Sequence, residues 1–171
     1  DLASTSASGT AIRVSRNTSS PGSISFAAPA IFTIGAGNPI AVLITDIDGD
    51  GRSDLAVTNN TNGGSTNGNL AILLNTGSPG SISLASPVFF NTEKFPVFMA
   101  GGDLDLDGKT DIAVVNNAST TLSVFRNTST PGPASFAPAM VIAQNHDPQV
   151  VTISELDNDG HPDLTVTIAN Y

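Results

Sequence analysis

Twelve of the chain's fifteen acidic residues fall into three short segments: Asp46, Asp48, Asp50 and Asp54; Asp103, Asp105, Asp107 and Asp111; and Glu155, Asp157, Asp159 and Asp163. Each segment reads acid-x-acid-x-Asp-Gly-x-x-Asp, with the glycine at Gly51, Gly108 and Gly160. Two like charges 4 Å apart repel by about 1 kcal/mol in water and by about 4 kcal/mol at the effective dielectric of a protein surface. A chain that gathers carboxylates this densely, three times over, calls for a cation. Acids at positions 1, 3 and 5 turn oxygens inward, glycine at position 6 permits a left-handed turn, position 7 offers its carbonyl, and position 9 closes the loop. Hard, oxygen-only ligation of this kind suits Ca2+, one ion per segment and up to three in all. A lone Asp-Gly stretch reads as a polar turn; three in register, carrying most of the negative charge, read as metal loops.

The elements that must hold these loops are strands. An EF-hand shares the first six positions but needs a bidentate Glu at position 12 and a helix on either side. Position 12 is Val57, Val114 and Val166 here, and the flanks, Ala41-Val42-Leu43-Ile44-Thr45 before and Leu55-Ala56-Val57-Thr58 after, are short and β-branched. Each loop therefore joins two strands of a hairpin.

The self-similarity extends beyond the acids. Pro39, Pro96 and Pro148 each stand seven residues before a loop, and Asn17-Thr18-Ser19-Ser20-Pro21-Gly22 returns as Asn75-Thr76-Gly77-Ser78-Pro79-Gly80 and Asn127-Thr128-Ser129-Thr130-Pro131-Gly132. Behind each comes a further strand-like piece at Ser25-Phe26-Ala27, Ser83-Leu84-Ala85 and Ser135-Phe136-Ala137. The spacing is 58 then 52 residues, the difference lying in a Gly/Asn/Ser/Thr-rich stretch at 59–69 that lengthens one turn. Each period parses as strand, acidic loop, strand, turn, strand, Pro-Gly turn, strand, which in the middle copy gives strands at about 40–45, 54–58, 70–74 and 82–90. No segment has helical periodicity. The expected fold is all-β: three blade-lengths of four antiparallel strands, as in a β-propeller. A sandwich is the competing all-β fold but requires no strict period. The chain reads as one repeat region, 1–171, with repeats at about 1–53, 54–110 and 111–162, and 163–171 starting a further blade.

The loop Asp46-Ile47-Asp48-Gly49-Asp50-Gly51-Arg52-Ser53-Asp54-Leu55 resembles the calcium loop of FG-GAP/VCBS repeats, the blades of integrin-α-like propellers. That resemblance covers essentially the whole chain. It implies a loop between the first and second strands of a blade, with ligands at positions 1, 3, 5, 7 and 9. The implied sites are Asp46, Asp48, Asp50, the Arg52 carbonyl and Asp54; Asp103, Asp105, Asp107, the Lys109 carbonyl and Asp111; and Glu155, Asp157, Asp159, the His161 carbonyl and Asp163. Two departures stand out. The family's Gly-Ala-Pro is replaced by Thr58-Asn59-Asn60 and Val115-Asn116-Asn117, which is more like the VCBS branch of exported microbial proteins. Glu155 replaces Asp at position 1, and its extra methylene is expected to shift or weaken the third site.

Composition narrows the function. A net charge of −9 argues against a nucleic-acid partner, and the longest apolar runs are too short to span a bilayer. Asp1-Leu2-Ala3 matches Asp54-Leu55-Ala56, so the chain starts at position 9 of a loop and ends within a second strand. Closed propellers use roughly four to eight blades. Three blade-lengths are expected to be an arc: a piece of a larger propeller, half of a six-bladed dimer, or a unit of a stack that self-associates through its open blade faces. His146 and His161 lie in no nucleophile or metal pattern, and the carboxylates a glycosidase would need are committed to the loops. Phe26, Phe32, Phe89, Phe90, Phe95, Phe98, Phe125 and Phe136 recur at strand positions and are expected to pack between blades.

The expected function is a non-catalytic, calcium-binding structural or adhesion module that presents a surface to an unidentified protein or glycan. Alternatives are a lectin-like propeller, an accessory domain of a secreted enzyme, and a self-assembling ring or filament subunit. Calcium modules with Kd of about 10⁻⁴–10⁻³ M fill only outside the cell, so an extracellular or cell-surface location is expected.

Overall fold

The computed structural model describes residues 1–6 and 9–169. Tyr171, with the expected continuation of the last blade beyond Ala169, lies outside the described residues. Among those residues there are thirteen strands and no α-helix, hence no helix long and apolar enough to cross a membrane. The strands form four antiparallel sheets in chain order. The first contains β1 (Leu2–Thr5), β2 (Ala11–Ser15) and β3 (Ala30–Thr33). The second contains β4 (Asn38–Thr45), β5 (Asp54–Asn60), β6 (Asn67–Leu73) and β7 (Val88–Lys94). The third contains β8 (Pro96–Gly102), β9 (Asp111–Asn116), β10 (Thr121–Phe125) and β11 (Met140–Ala143), and the fourth pairs β12 (Asp147–Ser154) with β13 (Asp163–Ala169).

Three blade-lengths of four strands thus resolve into two complete sheets flanked by a three-stranded and a two-stranded one. The second, third and fourth sheets each begin one strand before an acidic loop, so β12–β13 are a first and second strand, and β1, which follows Asp1 as β5 starts at Asp54, corresponds to a second strand. The repeated prolines mark the first strands. At Pro39, Pro96 and Pro148 the ladder slips by one residue before pairing resumes at Ala41, Phe98 and Val150, because proline has no N–H to give to the ladder.

Successive sheets pack face to face. Strand alternation sends neighbouring residues of β5 to opposite sides: Leu55 and Val57 join Ile12, Val14 and Ile34 of the first repeat, whereas Ala56 joins Met99, Ile112 and Val114 of the third sheet. Ala113, Val115 and Leu122 then meet Val151 of the fourth sheet. Every residue of β5 and β9 is buried, as a strand with a sheet on each face must be. Phe90, Phe125 and Phe136 fulfil the inter-blade role, with Phe90 and Phe125 each edge-on to Phe136. Phe26, Phe89 and Phe98 remain substantially exposed.

The expected fourth strand at 82–90 divides in two. Ser83-Leu84-Ala85 and its counterparts make single bridges only, Asn17 to Phe26, Asn75 to Leu84 and Asn127 to Phe136, and form hairpin arms at 16–27, 74–85 and 126–137. Ladder pairing restarts only past Pro29, Pro87 and Pro138, which cannot donate. The lengthened stretch at 59–69 extends the β5–β6 ladder, with Asn59 paired to Asn69, and turns between the strands at 61–66.

The blades approach closely at Gly68, where an added Cβ would lie 2.5 Å from Pro96 Cδ and 2.7 Å from the Asn59 carbonyl oxygen. Neither a proline ring nor a backbone oxygen yields cheaply. Gly68→Ala is expected to cost about 1–3 kcal/mol, read as a fall in melting temperature of roughly 2–4 °C per kcal/mol, equally in calcium and in chelator.

Candidate metal centre

The ladder sets the width of each acidic loop. Thr45 pairs with Asp54, Gly102 with Asp111 and Ser154 with Asp163, so position 9 is the first residue of the returning strand in all three. Between these anchors the backbone curls its N–H groups onto the carboxylates. Asp46 accepts from Gly49 N (2.8 Å) and Gly51 N (2.9 Å), Asp103 from Asp107 N (3.0 Å) and Gly108 N (2.8 Å), and Glu155 from Asn158 N (2.7 Å) and Gly160 N (2.8 Å). Positions 3 and 5 each accept from the N–H two residues on, as in Asp48 from Asp50 (3.2 Å) and Asp159 from His161 (2.7 Å). The position-6 glycines have φ of 85°, 85° and 87°, as expected. Position 4 is left-handed as well, at Gly49 (76°), Leu106 (62°) and Asn158 (63°). Gly49 and Asn158 are residue types that favour this region, whereas the turn is strained at Leu106 because a Cβ crowds the following carbonyl there.

Position 9 does more than close the loop. Asp54 accepts from Ile47 N with one oxygen (2.8 Å) and from Asn75 N with the other (2.7 Å), while Asp111 does the same with Leu104 N (2.9 Å) and Asn127 N (2.7 Å). Asp163 holds Leu156 N (3.1 Å), and Asp1, the matching residue of the first sheet, holds Asn17 N (2.9 Å). One carboxylate therefore ties loop, strand and arm together. Burial raises the pKa of Asp54 and Asp111 above the ordinary value, opposed by these N–H donors and assisted by neighbouring acids. At the fully exposed Glu155, residual desolvation pulls upward, but the N–H groups of Asn158, Gly160, Asp157 and Asp159 together outweigh it and lower the pKa.

Oxygens bound at 2.3–2.6 Å to one calcium ion lie within about 5 Å of each other. Oxygens from Asp46, Asp48 and Asp50 fall within 4.8 Å of one another, as do those from Asp103, Asp105 and Asp111, and from Glu155, Asp157 and Asp163. Three clusters of hard donors at the right span fit a divalent cation. Glu155 belongs to its group despite the extra methylene, since it reaches the same position-4 and position-6 donors as Asp46. Asp54, Asp107 and Asp159 are not in these close-set groups. The side chains at position 7 also act: Arg52 pairs with Asp50 and donates from Nε to Asn75 O (2.8 Å), and Lys109 Nζ lies 3.8 Å from Asp107. His161 is exposed.

The repeated asparagines of the arms carry a role that sequence reading missed, although their recurrence was its signal. Asn127 Oδ1 accepts from Ser129 N (2.8 Å), while Nδ2 donates to Thr110 O of its own sheet's loop (3.0 Å) and to Ile47 O of the preceding sheet's loop (2.8 Å). Gly132 N donates to Asp48 Oδ2 (3.1 Å). The third arm thus covers the first loop and leaves Ile47 only 1% exposed. Beside it a cleft of about 330 Å³ runs between the two loops, lined by Asp46, Asp48, Lys109, Thr110, Ser129 and Thr130 among others, with no aromatic side chain in its wall.

The two oxygens of Asp54, which hold buried N–H groups, and those of Asp50, which meet only the N–H and the half-exposed guanidinium of Arg52, make separable predictions, since an exposed ion pair contributes little. Asp54→Asn is expected to cost about 1–3 kcal/mol even in chelator, because one buried N–H loses its acceptor. Asp50→Asn is expected to leave stability in chelator within about 0.5 kcal/mol and to reduce only the gain from calcium. Denaturant titration of both variants with and without the ion checks this. A raised native pKa means that the native state of Asp54 and Asp111 binds protons more tightly than the unfolded one. In chelator, stability is expected to fall as pH rises from the ordinary Asp value through the raised one, while Glu155, whose pKa is lowered, contributes the opposite trend below its ordinary value. Melting curves across that window measure the slope.

A search of curated proteins gives no match. The model of the FG-GAP-like repeat family matches residues 46–114 and, overlapping them, 103–166. These matches run from position 1 of the first acidic loop to position 12 of the third, well over half of the chain, which therefore belongs to the FG-GAP-like repeat family.

Proposed function

We propose that this FG-GAP-like region is a non-catalytic calcium-binding module that works outside the cell as a rigid scaffold for protein interaction or adhesion. The observation that carries the reading is the threefold recurrence of carboxylate oxygens within 4.8 Å, in the same phase of successive sheets. Bound calcium would supply charge: three ions bring the chain from −9 to −3. The chain's own residues supply the frame, since the N–H groups that already curl onto positions 1, 3 and 5 hold the loops near the shape an ion needs. Preorganisation of that kind lowers the ordering cost of binding. The extracellular setting is proposed because sites with the weak affinity of calcium modules of this kind would fill only where calcium is millimolar. The inter-blade cleft offers polar groups to a glycan but no stacking surface, so the scaffold reading is preferred to the lectin.

Calorimetric titration with CaCl2 is expected to show saturable binding of up to three ions. At a hundredfold excess over Kd each site adds about 2.7 kcal/mol, and the melting temperature is expected to rise by at least roughly 5 °C. Magnesium, which sheds water reluctantly and demands octahedral geometry, is expected to give a smaller shift. Absence of both heat and shift in millimolar calcium overturns the proposal.

A further inference from the structure

Three of the chain's six Lys and Arg residues lie against the first two acidic loops. The Arg52 guanidinium pairs with Asp50 Oδ2, Lys109 Nζ lies 3.8 Å from Asp107 Oδ2, and Arg126 Nη1 lies 3.8 Å from Asp105 Oδ2. The two arginines differ from the lysine in the acid they meet. Asp50 and Asp105 each supply an oxygen to a close-set group, whereas Asp107 does not.

Both arginines are held in place by more than the ion pair. Arg52 donates from its own N–H to Asp50 Oδ1 (2.9 Å) and from Nε to the Asn75 carbonyl (2.8 Å), so the guanidinium is fixed between its loop and the arm of the same sheet. Both oxygens of Asp50 are thereby engaged by one residue. Arg126 is the first residue of the third arm: its carbonyl accepts from Ala137 N (2.9 Å), and the next residue is held by Asp111 through Asn127 N (2.7 Å).

Exposed pairs of this kind add little to folding stability, so their effect falls on what the loop binds. Four carboxylates give each loop a charge of −4; Arg52 brings the first to −3, and Lys109 with Arg126 brings the second to −2. Calcium affinity is tuned by the charge of the ligand set and by the rigidity of the site. A fixed positive charge beside a liganding oxygen repels a divalent ion and competes for the oxygen's lone pairs. We propose that Arg52 and Arg126 are affinity-setting residues, holding the first and second loops in the weak calcium range, Arg52 from within its loop and Arg126 from the arm of its sheet. The inference rests on the calcium reading and deepens it by naming what keeps the affinity low. Its sign separates it from a structural role: if Arg52 served mainly to tie loop to arm through Asn75, its loss would weaken binding.

The test is a calcium titration of the 171-residue chain followed by NMR. The amides of Gly51, Gly108 and Gly160 donate to the position-1 acids, so each reports its own loop. Arg52→Gln is expected to lower the Kd read at Gly51 by about three- to tenfold and to leave Gly108 and Gly160 unchanged. Arg126→Gln is expected to act in the same direction at Gly108 alone. Arg52→Lys keeps the charge and is expected to leave the Kd at Gly51 within about twofold of the parent. Lys94→Gln removes the same charge at the far end of the second sheet, where Lys94 pairs with Asn67, and is expected to change none of the three. The Arg52 and Arg126 side chains are 48% and 56% exposed, so unchanged melting temperatures in chelator are expected to show that these variants fold. A Kd at Gly51 that stays level or rises in Arg52→Gln overturns the inference, as does the same result at Gly108 in Arg126→Gln, or an equal fall in Arg52→Lys or Lys94→Gln. Each of those outcomes leaves the calcium reading standing. No movement of any glycine signal in millimolar calcium overturns the calcium reading and this inference together.

Discussion

A buried aspartate whose two oxygens each accept a backbone N–H is the interaction on which the rest of this molecule depends. At Asp54 and Asp111 one oxygen holds the second residue of the acidic loop and the other holds the second residue of the hairpin arm, so a strand, a loop and an arm share one carboxylate. Hydrogen bonds to a charged acceptor are worth about 1.5–3 kcal/mol each, and an unmet buried N–H costs a comparable amount. The energy is concentrated where the chain is otherwise rich in glycine, serine and asparagine and poor in large apolar side chains.

That carboxylate also explains how blades register on each other. Once the arm is fixed to its own loop, its asparagine is presented to the loop of the preceding sheet, and Asn127 bridges both with one amide group. The inter-blade surface is completed by alternating residues of β5 and β9, which send Leu55 and Val57 one way and Ala56 the other. Polar bridges reinforce this packing at intervals, from Thr5 to the Ile40 carbonyl, between Thr45 and Thr110, and from Asn117 to the Pro148 carbonyl. A stack built this way tolerates −9 net charge because twelve of the fifteen acids lie in the loops at one end of the sheets, where N–H groups solvate them and solvent screens them.

Much of this was legible from recurrence. The three acid ladders, the prolines seven residues upstream and the Asn-Thr-x-x-Pro-Gly arms each return in register, and the structure gives each a repeated geometry: loop, ladder slip and arm. Less legible were features that depend on a single backbone torsion or a missing donor. Leu106 adopts a left-handed conformation that its identity does not announce, unlike Gly49 and Asn158 at the same loop position. The split of the expected fourth strand turned on Pro29, Pro87 and Pro138, whose effect depends on which edge of the ladder their missing N–H would have faced. The side chains of Arg52 and Lys109 reached the position-5 acids although only their carbonyls drew notice.

The sequence by itself determined the local chemistry: which carboxylates share a loop, where the chain must turn, and that strands rather than helices flank the loops, because these follow from residue type and spacing within nine or ten positions. Only the tertiary structure decided which loop an arm covers and how deeply each repeat is buried. Asn17, Asn75 and Asn127 are the same residue in the same motif, yet they run from exposed to buried. The physical reason is that burial is set by the sheet packed against each repeat, through contacts between segments up to 84 residues apart, which a motif read within its own repeat does not contain.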